Sequence, residues 1–161
     1  MSEEAYSIRR AQVKDIKRIN ELLQQVLTVH ANGRPDIFIQ GTTKYTDEEL
    51  VDIINNDETP IFVCVDDNDI TLGYAFCIHE EIKGSNNMHD MKTLYIDDIC
   101  VDEACRGKHI ATALYRHVEK YAKESGCYRV TLNVWEINPI AKKFYEKMGM
   151  KPLKTVMENI L

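Results

Sequence analysis

A chain of 161 residues with 44% hydrophobic and 29% charged side chains has the make-up of a water-soluble globular protein, long enough to bury its own core and too short for two comfortable domains. Its formal net charge of -6 argues against nucleic acid as a partner, where a basic face supplies most of the binding energy, and suits a cationic substrate better. No apolar run approaches the ~20 residues of a membrane helix, and the acidic start Met1-Ser2-Glu3-Glu4 has no apolar signal core, so a cytoplasmic protein without membrane attachment is expected.

In chain order, Tyr6 to Arg10 reads as a short strand and Ala11 to Asp15 as a helix start. Ile16, Ile19, Leu23, Val26, Leu27 and His30 recur at helical spacing and predict an amphipathic helix that breaks at 31–36. Phe38 falls in the following loop, where it covers the core or lines a pocket. Thr46 with Glu49 three residues on is a capping box opening a second helix through Ile54. Ile61 to Val65 and Ile70 to Glu81 form an antiparallel hairpin turning at 66–69, with Gly73 a candidate bulge. The polar 83–91 loop follows. Next come an apolar strand ending at Val101, a basic turn, and a helix carrying Ile110, Leu114, His117, Val118 and Ala122 inward to Ser125-Gly126. His117 reads as a core histidine. Tyr128 to Val134 is a buried-type strand, Asn138 to Gly149 a helix, and Met150 to Leu161 a last strand or hairpin. The reading is one domain over 1–161, α/β and layered. A mixed, mostly antiparallel sheet carries a central βαβ unit and helices on both faces.

Cys64, Cys77, Cys100, Cys105 and Cys127 form an odd set without a C-x-x-C pair, read as reduced thiols, and the histidines lack metal-ligand spacing, so no metal is expected.

The chemistry concentrates in Thr93 to Ala113. Strand, basic turn and helix start present unpartnered N–H groups at the positive end of a helix dipole, with Arg106 and Lys108 beside them, a cradle for a diphosphate. Asp97 and Asp98 stand inside the strand, where Asp is depleted, and alternation sends them to opposite faces.

The stretch from Asp97 through Gly149 resembles the GNAT-type N-acetyltransferases. After Val101 comes Arg106-Gly107-Lys108-His109-Ile110-Ala111, similar to that family's pattern of Arg or Gln, two residues, Gly, one residue, Gly or Ala. His109 stands where the pattern has its first Gly, and His tolerates the left-handed region better than most residues. The second block is Asn138-Pro139-Ile140-Ala141 through Phe144-Tyr145 to Gly149. Tyr95 to Val101 is also similar to the matching strand of the spermidine/spermine acetyltransferases.

The resemblance implies transfer of an acetyl group from acetyl-CoA, as cosubstrate, to a primary amine by direct attack in a ternary complex. It implies that the backbone of Ile99, Cys100 and Val101 binds the pantetheine arm and thioester oxygen. The turn Arg106, Gly107, Lys108, His109, Ile110 and Ala111 then holds the diphosphate, and Asn138 and Tyr145 the rest of the cofactor. Tyr145 is the expected acid toward the leaving thiolate. Asp97, then Asp98, is the expected base, with Glu80 and Glu81 as second choices. The acceptor is a small cationic or peptide amine, bounded by the 34–36 and 83–91 loops. Alternatives are a non-catalytic acyl-CoA-binding module on the same fold and an unrelated phosphate-binding α/β protein. Apolar residues Val156, Met157, Ile160 and Leu161 would leave an exposed edge in a monomer, so a homodimer is expected.

Overall fold

The computed structural model describes residues 5–161. Its strands are β1 (Tyr6–Arg10), β2 (Ile61–Asp66), β3 (Thr71–Ile82), β4 (Met91–Val101) and β5 (Arg129–Leu132). Its helices are α1 (Ile16–Gly33), α2 (Asp47–Ile54), α3 (Ile110–Glu124) and α4 (Pro139–Lys147). The strands lie in sequence order in one sheet. β1 to β4 are antiparallel, and β4 and β5 are parallel with α3 crossing between them. The layered α/β reading is therefore what the chain forms.

Alternation along the strands feeds two cores. Ile61, Val63, Tyr74 and Phe76 pack with Ile19, Leu22 and Leu50 of α1 and α2. Phe62, Cys64, Ala75, Leu94 and Ile96 pack with Ile110, Leu114 and Val118 of α3, and Phe144, Tyr145 and Met148 of α4 join that side. β2 is buried on both faces and so reads as an unbroken apolar run. His117 sits edge-on to Phe62 at 4.7 Å, and burial lowers its pKa, as expected of a core imidazole. Buried Asp15, just ahead of α1, is gripped by both Arg9 terminal nitrogens at 2.7 and 2.9 Å and accepts from the Gln12 N–H, which ties β1 to α1.

Two irregularities shape the sheet. Between β2 and β3 the register slips at Leu72, and neighbouring Gly73 is the close-approach residue: a Cβ there would meet the Cys100 carbonyl oxygen at 2.8 Å. Between β3 and β4, Phe76 pairs with Asp98 and Cys77 with Ile96, leaving Asp97 as the extra residue of a bulge.

Some expected boundaries move. α1 runs to Gly33, three residues past His30 and into the expected break, and β5 is four residues rather than the expected 128–134. The last strand over Met150 to Leu161 is not formed; residues 151–161 are exposed and in no helix or strand. Their apolar residues fall in pairs rather than alternating, and an extended segment is stable only when its backbone joins a ladder. All five cysteines are free, with Cys64, Cys77 and Cys100 buried.

Candidate active site

β4 and β5 pair only from Thr93–Arg129 to Ile96–Leu132. Beyond that point β4 continues to Val101 against β3 alone, while the chain after β5 turns into a loop. The bulge at Asp97 falls where the two strands part. Peptide groups of the 97–101 stretch on that side have no ladder partner among the described residues, so the opening offers backbone donors and acceptors to a ligand.

At the mouth of this opening lies the basic turn. Asp102 accepts from the Ala104 N–H at 3.1 Å and is held by Arg18 at 2.5 Å, anchoring the chain as it leaves β4. Gly107 takes φ +84°, where an L side chain is strained. His109 adopts the left-handed conformation, φ 61° and ψ 21°, directly before α3. The His at the pattern's Gly position therefore keeps a glycine-like backbone. Its side chain makes no capping bond, so the first N–H groups of α3 remain open to an anion. Arg106, Gly107, Lys108 and His109 are exposed around them.

The bulge also re-aims the acidic pair. Asp98 turns to the α1/α2 face beside Tyr74, whose hydroxyl donates to it at 2.6 Å. It keeps partial contact with solvent yet lies deep enough that desolvation pushes its carboxyl up to about 6, against the Tyr74 hydrogen bond and the charge of Lys44. Asp97 accepts from Lys44 Nζ at 2.7 Å. Tyr145 of α4, packed on the α3 side of the sheet, is half-buried, and its phenol is pushed well up, first by desolvation and then by Asp98 and Cys100. It is neutral at any physiological pH and carries a proton it can give. Asn138 caps α4, accepting from the Ala141 N–H at 3.2 Å, with Pro139 at the first helical position. Its oxygen is thus committed to the helix, and its amide nitrogen is what remains for a ligand.

Glu80 and Glu81 are exposed and stand opposite Thr93 and Lys92, away from the parted end of β4. The 83–90 loop closes the same far end of the hairpin. The loop after α1, by contrast, approaches the loop after β5 through Phe38, just beyond residues 34–36, which packs on His30 at 5.0 Å and edge-on to Trp135 at 5.2 Å. Two participants escaped the sequence reading. Tyr74 looks like any core aromatic, and only the β3–β4 register across the bulge puts it beside Asp98; Lys44 reaches Asp97 from 53 positions away. No group of three or more His, Cys, Asp or Glu among the described residues is placed to hold a metal, and no helix among them is long and apolar enough to cross a membrane.

Comparison with known proteins agrees with this geometry. The chain is 29% identical to a mutant of the BH1408 protein from Bacillus halodurans, with a TM-score of 0.92 over 96% of this chain and 99% of that one. It is 26% identical to the glucosamine-6-phosphate N-acetyltransferase of Arabidopsis thaliana, at a TM-score of 0.71 over 98% and 99% of the two chains. An uncharacterized N-acetyltransferase of Methanocaldococcus jannaschii is 31% identical over 104 residues, 65% of this chain and 44% of that protein. The chain spans less than half the length of the curated relatives it matches. Residues 23–150 match the profile of the acetyltransferase (GNAT) family, and the chain belongs to that family.

Proposed function

We propose that the chain is a single N-acetyltransferase domain that moves an acetyl group from acetyl-CoA to a primary amine within a ternary complex, in the cytoplasm. The observation that carries this reading is the bulge at Asp97. It coincides with the parting of β4 from β5 and holds a half-buried carboxyl pushed up to about 6, Asp98, near enough to Tyr145 for its charge to help keep that phenol protonated. A binding module needs neither group. Relatives named as glucosamine-6-phosphate and aminoglycoside N-acetyltransferases support an amine acceptor.

Acetyl-CoA supplies an acyl group activated as a thioester. The turn Arg106, Gly107, Lys108, His109, Ile110 and Ala111 receives its diphosphate through the open N–H groups of α3. Ile99, Cys100 and Val101 offer unpaired backbone groups to the pantetheine arm and the carbonyl oxygen. Asn138 adds its amide nitrogen. An acceptor amine arrives as an ammonium, since its ordinary pKa is about 10.4. Asp98 accepts the proton, and the freed nitrogen attacks the carbonyl carbon. As the C–S bond breaks, Tyr145 gives its proton to the departing sulfur, the attacking nitrogen releases its second proton to solvent, and the phenol is reprotonated from there. Asp98 is the better base of the acidic pair because Asp97 is engaged by Lys44, which leaves Asp97 to orient charge at the mouth.

Following thiol release from acetyl-CoA with a panel of polyamines, amino sugars and lysine peptides tests the reading. Amine-dependent release that Tyr145→Phe suppresses is expected. Coenzyme A binding without release by any amine would make the chain a non-catalytic binder.

A further inference from the structure

Lys44 lies in the 34–46 stretch that joins α1 to α2, and its half-exposed side chain crosses to β4, where Nζ donates to Asp97 at 2.7 Å. The ammonium stands at the mouth where β4 and β5 part. Its charge bears on Asp98 as well as Asp97, on Tyr95 of β4 and on His30 of α1. The Tyr95 hydroxyl accepts from Asn133 at 3.1 Å, on the chain just past β5, and the His30 ring lies 6.1 Å from Trp135, two residues further on. One lysine amine is therefore ringed by groups from α1, from β4 and from the segment after β5. Lys14 and Lys120 find their carboxylates elsewhere, in Asp69 of the turn between β2 and β3 and in Glu124 of α3.

A free acceptor reaches this site as an ammonium and is drawn to the same carboxylates, so Lys44 occupies the place that acetyl transfer assigns to a substrate. The Lys44 pKa is raised: desolvation works against the charge, and the Asp97 hydrogen bond with the charges of Asp97, Tyr45 and Asp98 outweighs it. An amine carried on the chain also needs no encounter, and a well-oriented intramolecular nucleophile has an effective concentration far above that of a free one. Building on the acetyltransferase reading above, we propose that Lys44 is the chain's own acceptor, acetylated on Nζ in cis by the acetyl-CoA held in the gap. One ammonium proton passes to the Asp97 carboxylate already bonded to it and on to solvent, and the nitrogen attacks the thioester carbonyl carbon. The C–N bond forms as the C–S bond breaks, and the second nitrogen proton leaves to solvent. Coenzyme A departs as the thiol with a proton from Tyr145, which regains one from solvent. The product amide is uncharged. It releases Asp97 and turns a self-occupied mouth into one open to a cationic acceptor.

Incubating the full chain with acetyl-CoA and no amine, then mapping acetyl groups by peptide mass spectrometry, tests this, with amine-dependent thiol release measured on the same preparation. One acetyl group per chain is expected on Lys44, arriving at least tenfold faster than on any other lysine. Its rate should not change when the chain is diluted tenfold, and excess coenzyme A should block it. A Lys44→Arg chain should release no thiol in a first stoichiometric burst. Lys44 left unmodified while amine-dependent release proceeds overturns the proposal and leaves the acetyltransferase reading standing. Labelling in proportion to chain concentration, or spread evenly over the lysines, overturns it as well. Absence of both labelling and amine-dependent release overturns the two together.

Discussion

Replacing Asp98 by Asn gives opposite effects on activity and stability, and both follow from one carboxyl. Desolvation pushes Asp98 from the ordinary 3.8 to about 6 in the folded chain, outweighing the opposing Tyr74 hydrogen bond and Lys44 charge. Two units at about 1.4 kcal/mol each make folding about 3 kcal/mol harder when that carboxyl is ionised. The sign is fixed by the direction of the shift. Protonated Asp98 imposes no penalty, so the stability is fully present below the unfolded value and is lost as pH rises through about 6. Asn cannot ionise. Partial solvent contact and a weaker, uncharged bond from Tyr74 reduce the recoverable gain to about 1–2 kcal/mol. Urea unfolding at about pH 8 should therefore find Asp98→Asn more stable than the parent by that amount, with the advantage gone at about pH 4. In the same variant kcat/KM should fall by about 10²–10⁴, and the tenfold loss of rate per pH unit expected of the parent below about pH 6 should be absent. A variant that is less stable at the higher pH refutes the burial argument. An acid limb that survives in Asp98→Asn but vanishes in Asp97→Asn makes Asp97 the base.

Three other changes have definite outcomes. Tyr145→Phe should lower kcat by roughly 10- to 1000-fold while acetyl-CoA affinity, read by calorimetry, stays within about twofold, because only a proton donor is removed. Gly107→Ala places a Cβ at φ +84°, which should destabilise the turn by about 1–2 kcal/mol in thermal unfolding and weaken coenzyme A binding with it. Lys44→Gln frees the Asp97 carboxylate from a half-exposed ion pair worth about 1 kcal/mol, so KM for a cationic acceptor should drop about fivefold with kcat little changed.

Much of this architecture was legible in the sequence because its signals are local. The Thr46/Glu49 box, the Asn138-Pro139 cap and the run from Val101 to Ala111 each need only a few neighbouring residues, and each folds as its local chemistry dictates. The acidic pair was legible as unusual but not as arranged. Alternation predicts opposite faces for Asp97 and Asp98, but the one-residue bulge set by pairing with β3 turns both toward the α1/α2 side, where Asp97 meets Lys44 and Asp98 meets Tyr74, and pairing is not a local property. The same limit hid Tyr74 and Lys44, whose roles exist only through contacts across the chain. The last segment failed for a related reason: its apolar residues were visible, but strand structure needs a partner edge, and no described strand pairs with it.

The central claim, that the gap between β4 and β5 holds the thioester carrier, is tested most directly by a crystal structure with coenzyme A. The account predicts the diphosphate against the N–H groups of Gly107 to Ala111, the pantetheine arm alongside Ile99 to Val101, and the sulfur within hydrogen-bond reach of the Tyr145 hydroxyl. Coenzyme A bound elsewhere, with that turn and gap left empty, would contradict it.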